Sequence, residues 1–186
     1  MFYGIFILLS MILITTLNAI FNVFSLSFGS IVLIVFLSTL AVIGIDLITA
    51  TIVRWLTPKK WFDPDKRKSR VSKWELSFYK KIRVKKWKDK VLELGFLTKF
   101  SKNKLSDPNS KEYIHRFLLE SYYGIAVHIF CILTGFLVIF IYPLYFALYF
   151  GLPIALVNAF LNLLPIFVLR YNLPKLASIY KYKKGK

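Results

Sequence analysis

Positive charge is missing from the first 53 residues of this 186-residue chain, since neither Lys nor Arg occurs before Arg54. A secretory signal peptide usually begins with basic residues, so the sequence does not favour a cleaved leader. The missing charge also leaves apolar runs long enough to cross a bilayer, for which about 20 residues suffice. The N-terminal run therefore predicts a retained membrane helix.

The residues that build disulfides and metal sites are also scarce. A single cysteine, Cys131, excludes a disulfide within the chain and a cysteine zinc site. With two histidines in the whole chain, we expect no dedicated metal cage and no tightly bound cofactor. The sequence also lacks a phosphate-binding glycine loop, an H-E-x-x-H motif and a G-x-S-x-G motif. Any activity must therefore come from other arrangements of polar residues.

Apolar residues make up 57% of the chain and come in long blocks. Four such blocks predict an all-α, polytopic membrane protein with four transmembrane helices, at about residues 2–24, 31–55, 117–142 and 144–169. The Ser25–Ser30 stretch, which contains Gly29, predicts a short turn between the first two. The remaining parts are a loop at about 56–116 and a basic tail at 170–186. We expect a single membrane domain.

Charge patterning predicts the orientation of these segments. Of the 26 basic residues, 20 lie between Arg54 and Arg116 and six between Arg170 and Lys186. The positive-inside rule then predicts a multi-pass protein of the cell membrane with both termini in the cytoplasm. Basic residues next to a membrane attract anionic lipid headgroups, so we expect these as partners and no nucleic acid.

The central loop contains a stretch, Lys73–Gly95, that is rich in lysine. Its aromatic and aliphatic residues recur at spacings of three to five positions, as on one face of a helix. This pattern predicts one or two amphipathic helices in the membrane interface, with Gly95 at the end. A solvated helical hairpin without lipid contact is the alternative. The apolar positions are Trp74, Phe78, Ile82, Trp87, Val91 and Leu94.

Three pairs of polar residues in or beside the predicted membrane segments are eight positions apart: Asp46 and Arg54, Glu120 and His128, and Asn162 and Arg170. Eight residues of helix span about 12 Å. The chain direction then places Arg54, Glu120 and Arg170 at the cytoplasmic boundary and their three partners at one depth inside the membrane. This layout predicts a polar pocket open to the cytoplasm. Each residue could instead be a structural partner between helices.

Several short pieces of the chain resemble a bacterial membrane family. They are Trp74-Glu75, Phe78-Tyr79, Ile82-Arg83, Lys86-Trp87-Lys88-Asp89, Glu120 with His128, and Arg170-Tyr171-Asn172-Leu173-Pro174. In this order and with comparable gaps, they resemble the glycosyl-4,4'-diaponeurosporenoate acyltransferase family over about residues 73–176. The chain departs from that family at Leu173 and Lys175, where the family has arginine, which leaves the acceptor open.

The resemblance implies transfer of a fatty acyl group from a cytosolic acyl-CoA or acyl-carrier protein to a hydroxyl of a lipid-linked acceptor, such as a glycolipid. His128 would be the general base, oriented by Glu120 or Asp46, and Asn162 would donate to the oxyanion. Binding of donor or substrate is expected for Arg170, Tyr171, Asn172, Glu75, Arg83, Trp87 and Lys88. The alternatives are a membrane methyltransferase, another lipid-headgroup enzyme, or a non-catalytic lipid-binding or assembly subunit.

Overall fold

The structure is a computed structural model that describes residues 2–66, 71–91 and 106–185. Within these ranges the chain is helical and contains no strand. It divides into two compact units. Unit 1 comprises residues 1–52 and 129–163, and unit 2 comprises residues 53–128 and 164–186.

Four helices in the described ranges are long and apolar enough to cross a membrane: Phe2–Phe21, Phe28–Leu56, Lys111–Ile141 and Leu144–Lys184. The predicted number of transmembrane segments is thereby confirmed. Their ends differ from the prediction. Regular helical structure continues from the predicted fourth segment to Lys184 and so includes most of the predicted basic tail.

The first two helices, α1 (Phe2–Phe21) and α2 (Phe28–Leu56), are joined by a turn that starts earlier than predicted. Positive φ angles fall on Asn22 (35°) and Ser25 (49°), and the Asn22 Oδ1 accepts a hydrogen bond from the Leu26 N–H at 2.9 Å. The Ser27 hydroxyl oxygen accepts from the Ser30 N–H at 3.2 Å, as an N-cap residue does. Gly29 therefore lies in the first turn of α2 and not in the connection.

The loop contains two short helices, α3 (Lys73–Lys81) and α4 (Val84–Trp87), followed by a 3₁₀ turn at Lys88–Lys90. Arg83 separates α3 from α4 with a left-handed backbone, φ 54°. The predicted helical character of the stretch is confirmed as far as Lys90. Leu94 and Gly95 lie outside the described residues.

The second half of the chain begins with α5 (Lys111–Gly135), which continues as a 3₁₀ helix over Phe136–Ile141 and stops before Pro143, as predicted. Helix α6 (Leu144–Phe146) leads through a π-helical turn, Ala147–Gly151, into α7 (Leu152–Lys184). The turn passes close to its neighbour, because a Cβ on Gly151 would lie 3.1 Å from the Ile139 Cα.

Proline has no N–H, so inside a helix it leaves the carbonyl four residues earlier without its donor. Pro165 has this effect on the carbonyl of Leu161, and the carbonyl of Tyr149 lies in the π-helical turn just before Pro153. Both carbonyls receive a side-chain donor from α1. The Asn18 amide donates to Tyr149 at 3.1 Å, and the Tyr3 hydroxyl donates to Leu161 at 3.2 Å. This is how prolines are tolerated inside a membrane, where no water can replace the missing donor.

Each unit has its own apolar core. The core of unit 1 consists of Ile14, Ile31, Val35, Val42, Phe150 and Ile154. The core of unit 2 is larger and more aromatic, with Phe62, Ile114, Phe117, Leu118, Tyr122, Tyr123, Ile125, Leu169, Leu173, Leu176 and Tyr180. Leucines and isoleucines of α1 and α2 remain exposed, as expected of side chains that face lipid.

Candidate active site

The first element of the candidate site is the start of helix α3 in unit 2. Ser72 precedes the helix in an extended conformation, and its hydroxyl oxygen accepts a hydrogen bond from the Glu75 N–H at 3.0 Å. This cap fixes the first turn of α3 and places Glu75 there, where the helix dipole favours a negative charge. The S-x-x-E spacing is that of a capping box.

The Glu75 carboxylate accepts hydrogen bonds from two side chains of unit 2. Arg170 donates through Nε to one carboxylate oxygen and through a terminal nitrogen to the other, at 2.8 Å. The Tyr79 hydroxyl donates to the first oxygen at 2.5 Å. The Arg170 guanidinium holds the pKa of Glu75 below its usual range, so that the carboxylate is ionised at neutral pH. Two predicted site residues, Glu75 and Arg170, are thus in direct contact.

Aromatic contacts support the same pairing of α3 with α7. The rings of Phe78 and Tyr79 lie 5.8 and 5.6 Å from that of Phe167, measured between centroids. Tyr79 is buried, and burial together with the neighbouring Glu75 carboxylate raises its pKa. Trp74 faces outward with 77% of its surface exposed. Helix α3 therefore packs on the protein along one face and presents Trp74 on another.

Three further residues predicted to bind the donor come after α3 in the chain. Arg83 is exposed at the left-handed link. The Trp87 indole N–H donates to the Ile82 carbonyl at 3.0 Å, and the Lys88 ammonium lies 3.3 Å from the Asp89 carboxylate. The contact of Trp87 with Ile82 stabilises the link between α3 and α4. The Arg83 side chain is exposed on the surface at this link.

Glu120, predicted to orient His128, forms an ion pair with Arg54 within unit 2. The Arg54 guanidinium carbon lies 5.4 Å from the centre of the Tyr123 ring, within the range of a cation–π interaction. The Tyr123 hydroxyl donates to the Thr57 carbonyl at 2.6 Å. The contact joins the end of α2 to the middle of α5 and gives Glu120 a cationic partner that the sequence pattern did not indicate.

His128 lies on α5 and is half-buried. It comes eight residues after Glu120 on the same helix, a rise of about 12 Å, so a direct hydrogen bond between the two side chains is not possible. Tyr171 and Asn172 are half-buried on α7, next in sequence to Arg170. His128, Tyr171 and Asn172 remain predicted site residues.

Unit 1 contains the second group of predicted residues. Asn162 and Asn158 donate to the two Asp46 carboxylate oxygens at 2.9 and 3.2 Å. The Asn162 amide also donates to the Asn158 side-chain oxygen at 3.1 Å, and the Asn158 amide to the Cys131 carbonyl at 3.4 Å. Asp46 and Asn162, which the sequence placed at one depth, are in direct contact, and Asn158 belongs to the same network.

Gly135 makes room for this network. A Cβ at position 135 would lie 2.3 Å from the Asn158 amide nitrogen, a distance that heavy atoms do not tolerate. The glycine lets α5 approach the Asn158 side chain closely, as small residues commonly do between membrane helices. The network consequently depends on a residue that itself makes no polar contact.

One group in the described part of the chain could hold a metal ion. Asp63, Asp65 and His115 place ligand atoms within 4.8 Å of one another. However, the Lys184 ammonium lies 2.7 Å from the Asp65 carboxylate and the Tyr180 hydroxyl 3.0 Å from it. Lys184 and Tyr180 also hold the pKa of Asp65 below its usual range. The group therefore already serves as an anchor for the end of α7.

Sequence reasoning missed Arg54, Ser72 and Tyr79 as partners of predicted site residues. Ser72 had a signal, because the S-x-x-E spacing before an apolar run marks a helix start. Tyr79 had a weaker one, since it comes four residues after Glu75 and so lies on the same helix face. The eight-residue spacing placed Arg54 and Glu120 at the same boundary, but it could not show that the two residues pair, because 66 positions separate them.

Four helices long and apolar enough to cross a membrane are typical of a polytopic membrane protein, and this one contains an Asp46 network in unit 1 and a Glu75–Arg170 ion pair in unit 2. The family model described as glycosyl-4,4'-diaponeurosporenoate acyltransferase matches residues 58–182, and the chain belongs to this family. Comparisons with curated proteins and with solved structures gave no match. The predicted family is confirmed.

The matched region is unevenly distributed over the two units. It includes residues 58–128 and 164–182 of unit 2, with Glu75, Glu120, His128 and Arg170, but of unit 1 only residues 129–163. Asp46 lies before the matched region, whereas its partners Asn158 and Asn162 lie within it. The matched region therefore includes Glu75, Glu120, His128 and Arg170 and does not extend to Asp46.

Proposed function

We propose that this protein transfers a fatty acyl group from a cytosolic, thioester-activated donor to a hydroxyl of a lipid-linked acceptor in the membrane. The observation that carries the proposal is the family match, because it takes in nearly all of unit 2 and the polar residues held there. An acyl-CoA or an acyl-carrier protein has the required activated thioester. The lipid anchor of the acceptor suits a protein with four membrane-spanning helices.

The transfer needs a base, and we assign this role to His128. In the proposed step His128 takes the proton of the acceptor hydroxyl while its oxygen attacks the thioester carbon. The C–O bond forms, the C–S bond breaks, and the departing sulfur receives the proton from His128. The negative charge on the carbonyl oxygen must be stabilised by hydrogen-bond donors during attack.

The donor would approach from the cytoplasmic side, which we propose contains both termini and the basic loop. An acyl-CoA carries phosphates and an acyl-carrier protein carries surface carboxylates, so both suit the exposed cations of this loop. We expect a cytoplasm-dependent reporter fused after Lys186 to be active and the same reporter inserted at Ser27 to be silent. The reverse pattern would overturn the orientation and the side of donor entry.

The direct test uses the purified protein in liposomes made with lipids extracted from its source. With radiolabelled palmitoyl-CoA or palmitoyl-acyl-carrier protein, we expect a labelled lipid product on thin-layer chromatography. His128→Ala should lower the rate by about 10²–10⁴-fold, the usual contribution of a general base. His115→Ala is the matched control, because it removes the other histidine of the chain, and we expect it to retain activity.

Two outcomes would contradict the proposal. A His128→Ala protein with native activity would remove the assigned base. Label that enters lipid from S-adenosylmethionine but not from either acyl donor would identify a methyltransferase instead. Acyl transfer at this site would be supported if the native protein and His115→Ala form the product and His128→Ala does not.

A further inference from the structure

The sequence suggested that Arg170 binds the acyl donor or the substrate. The contact between Glu75 and Arg170 indicates a different role. We propose that Arg170 is a positioning residue, which locks helix α3 onto helix α7 through Glu75, and that it does not bind the phosphates of the donor. This inference rests on the proposed function, because the helix that it locks leads to the residues expected to meet the donor.

The guanidinium of Arg170 already donates two hydrogen bonds to a carboxylate. Its planar fork fits a carboxylate or a phosphate with two parallel hydrogen bonds. In this structure Nε and one terminal nitrogen of Arg170 both bond Glu75. A phosphate that used the same fork would have to displace Glu75 and leave its carboxylate without the cation. Since 17% of the Glu75 side chain is exposed, that carboxylate would be poorly compensated by water.

Helix α3 needs such an anchor. A helix of nine residues is too short to be stable in water by itself. Its N-terminus is capped by Ser72, and its buried face contributes Tyr79 and part of Phe78 against Phe167. The outer face carries lysines and the exposed Trp74 and adds nothing to docking. The ion pair is therefore a large part of what holds α3 in place.

The residues after α3 depend on where the helix lies. Arg83 takes a left-handed conformation directly after the helix and directs the chain into α4 and Lys88. A rigid link of this kind transmits the position of α3 to the next residues of the chain. Arg83, Trp87 and Lys88 are the predicted donor-binding residues of this stretch. Loss of the lock should therefore weaken donor binding although Arg170 does not touch the donor.

The test measures docking and transfer separately in the full chain, reconstituted in nanodiscs that contain anionic lipid. Hydrogen exchange of the amides of residues 76–82 reports docking of α3. Arg170→Gln and Glu75→Gln should each accelerate this exchange by about tenfold, the effect of losing hydrogen bonds to a charged group. Tyr79→Phe, which removes one hydroxyl, should accelerate it less. Lys175→Gln is the control, because it removes an exposed charge from the same helix as Arg170.

The exchanged pair Glu75→Arg with Arg170→Glu decides between the two tasks of Arg170. If Arg170 is a lock, the double variant regains protection, to within about fivefold of native because an arginine in the first turn opposes the helix dipole. It should also lower the KM for palmitoyl-CoA from the value found in Arg170→Glu. If Arg170 binds donor phosphate, the double variant stays as impaired as Arg170→Glu, and the proposal is wrong.

The outcomes also separate this inference from the proposed function. Unchanged exchange in Arg170→Gln would overturn the lock, whatever the protein catalyses. A native protein that shows the expected exchange pattern but transfers no acyl group would retain the lock and overturn the function. Exchange over residues 2–21 serves as the internal reference, since a variant that unfolds as a whole would also expose α1. In that case Tyr79→Phe, the mildest change, decides the result.

Discussion

The two units provide different hydrogen-bond partners for half-buried carboxylates. Asp46 is the single charged residue in the sequence of unit 1, and the donors to its carboxylate are the neutral amides of Asn158 and Asn162. In unit 2, Glu75 and Glu120 each pair with an arginine. A second charge inside an apolar unit would add its own desolvation penalty, which amides avoid. Near a polar loop, water lowers that penalty and an ion pair is tolerated.

The same contrast appears in the backbone. In unit 1 the backbone carbonyls of Tyr149 and Leu161 accept hydrogen bonds from Asn18 and Tyr3, because lipid offers no alternative donor. In unit 2 the connections use exposed turns, capped by Ser72 and Asp107, where water is available. Side-chain amides and hydroxyls therefore replace water in unit 1, whereas ion pairs make the specific contacts in unit 2.

The largest effect that would test this contrast is expected at Gly135. Gly135→Ala would force Asn158 out of the network and weaken the donors to Asp46, at a cost of about 3 kcal/mol. Gly44→Ala in the same unit is the matched control, since nothing lies within 4 Å of the added Cβ there. Denaturation in mixed detergent micelles would measure both. Equal stabilities of the two variants would show that the amide network contributes little to unit 1.

A smaller loss of stability is expected when the side chains of α1 that donate to the Leu161 and Tyr149 carbonyls are removed. Tyr3→Phe and Asn18→Leu should each destabilise the protein by about 1 kcal/mol, the usual size of a hydrogen bond between membrane helices. The two sites lie 15 residues apart on α1, so the double variant should lose about 2 kcal/mol in the same assay. Thr51→Val is the control, because that hydroxyl bonds only its own helix, at Leu47. A control as unstable as the double variant would contradict this account.

Much of this architecture could be predicted from the sequence. Runs of uncharged residues specify four membrane helices because lipid excludes charge, and Pro143 correctly predicted the end of the third. The helix that contains the fourth segment continues beyond the predicted segment. Its polar C-terminal part has no membrane-like composition, and its regular structure depends on tertiary contacts of Leu173, Leu176 and Tyr180 with the core of unit 2.

The sequence identified several residues of the candidate site, but it identified fewer of the pairs that they form. The eight-residue spacing led to Asp46 and Asn162, which are in contact, and family pieces led to Glu75 and Arg170, which are also in contact. Spacing along single helices cannot show how helices are paired, so the contact of Glu120 with Arg54 was not foreseen. Side-chain partners depend on packing that no local pattern encodes.

Acid should weaken the contacts of unit 2 before those that involve only neutral groups. The pKa of Glu75 in the folded protein is lower than in the unfolded chain, where it is about 4.3. The stabilisation is therefore complete above the unfolded value and is lost as the pH falls through the lower folded value. We expect exchange of residues 76–82, corrected for intrinsic rates, to be constant from pH 7 to about 5 and to accelerate below about 4. Glu75→Gln should show no such acceleration.

The smallest loss of stability is expected at the end of α7, where the ion pair of Lys184 with Asp65 is exposed to solvent. Lys184 and Asp65 keep 54% and 40% of their side chains exposed, so water screens their attraction. Lys184→Ala should therefore cost under about 0.5 kcal/mol, as is usual for exposed pairs, and the loss should shrink further in high salt. Glu75→Gln, measured in the same thermal unfolding assay, should cost more and depend less on salt. If Lys184→Ala proved the more damaging of the two, burial would not be what makes the Glu75 pair strong, and the contrast between buried and exposed charges in unit 2 would fail.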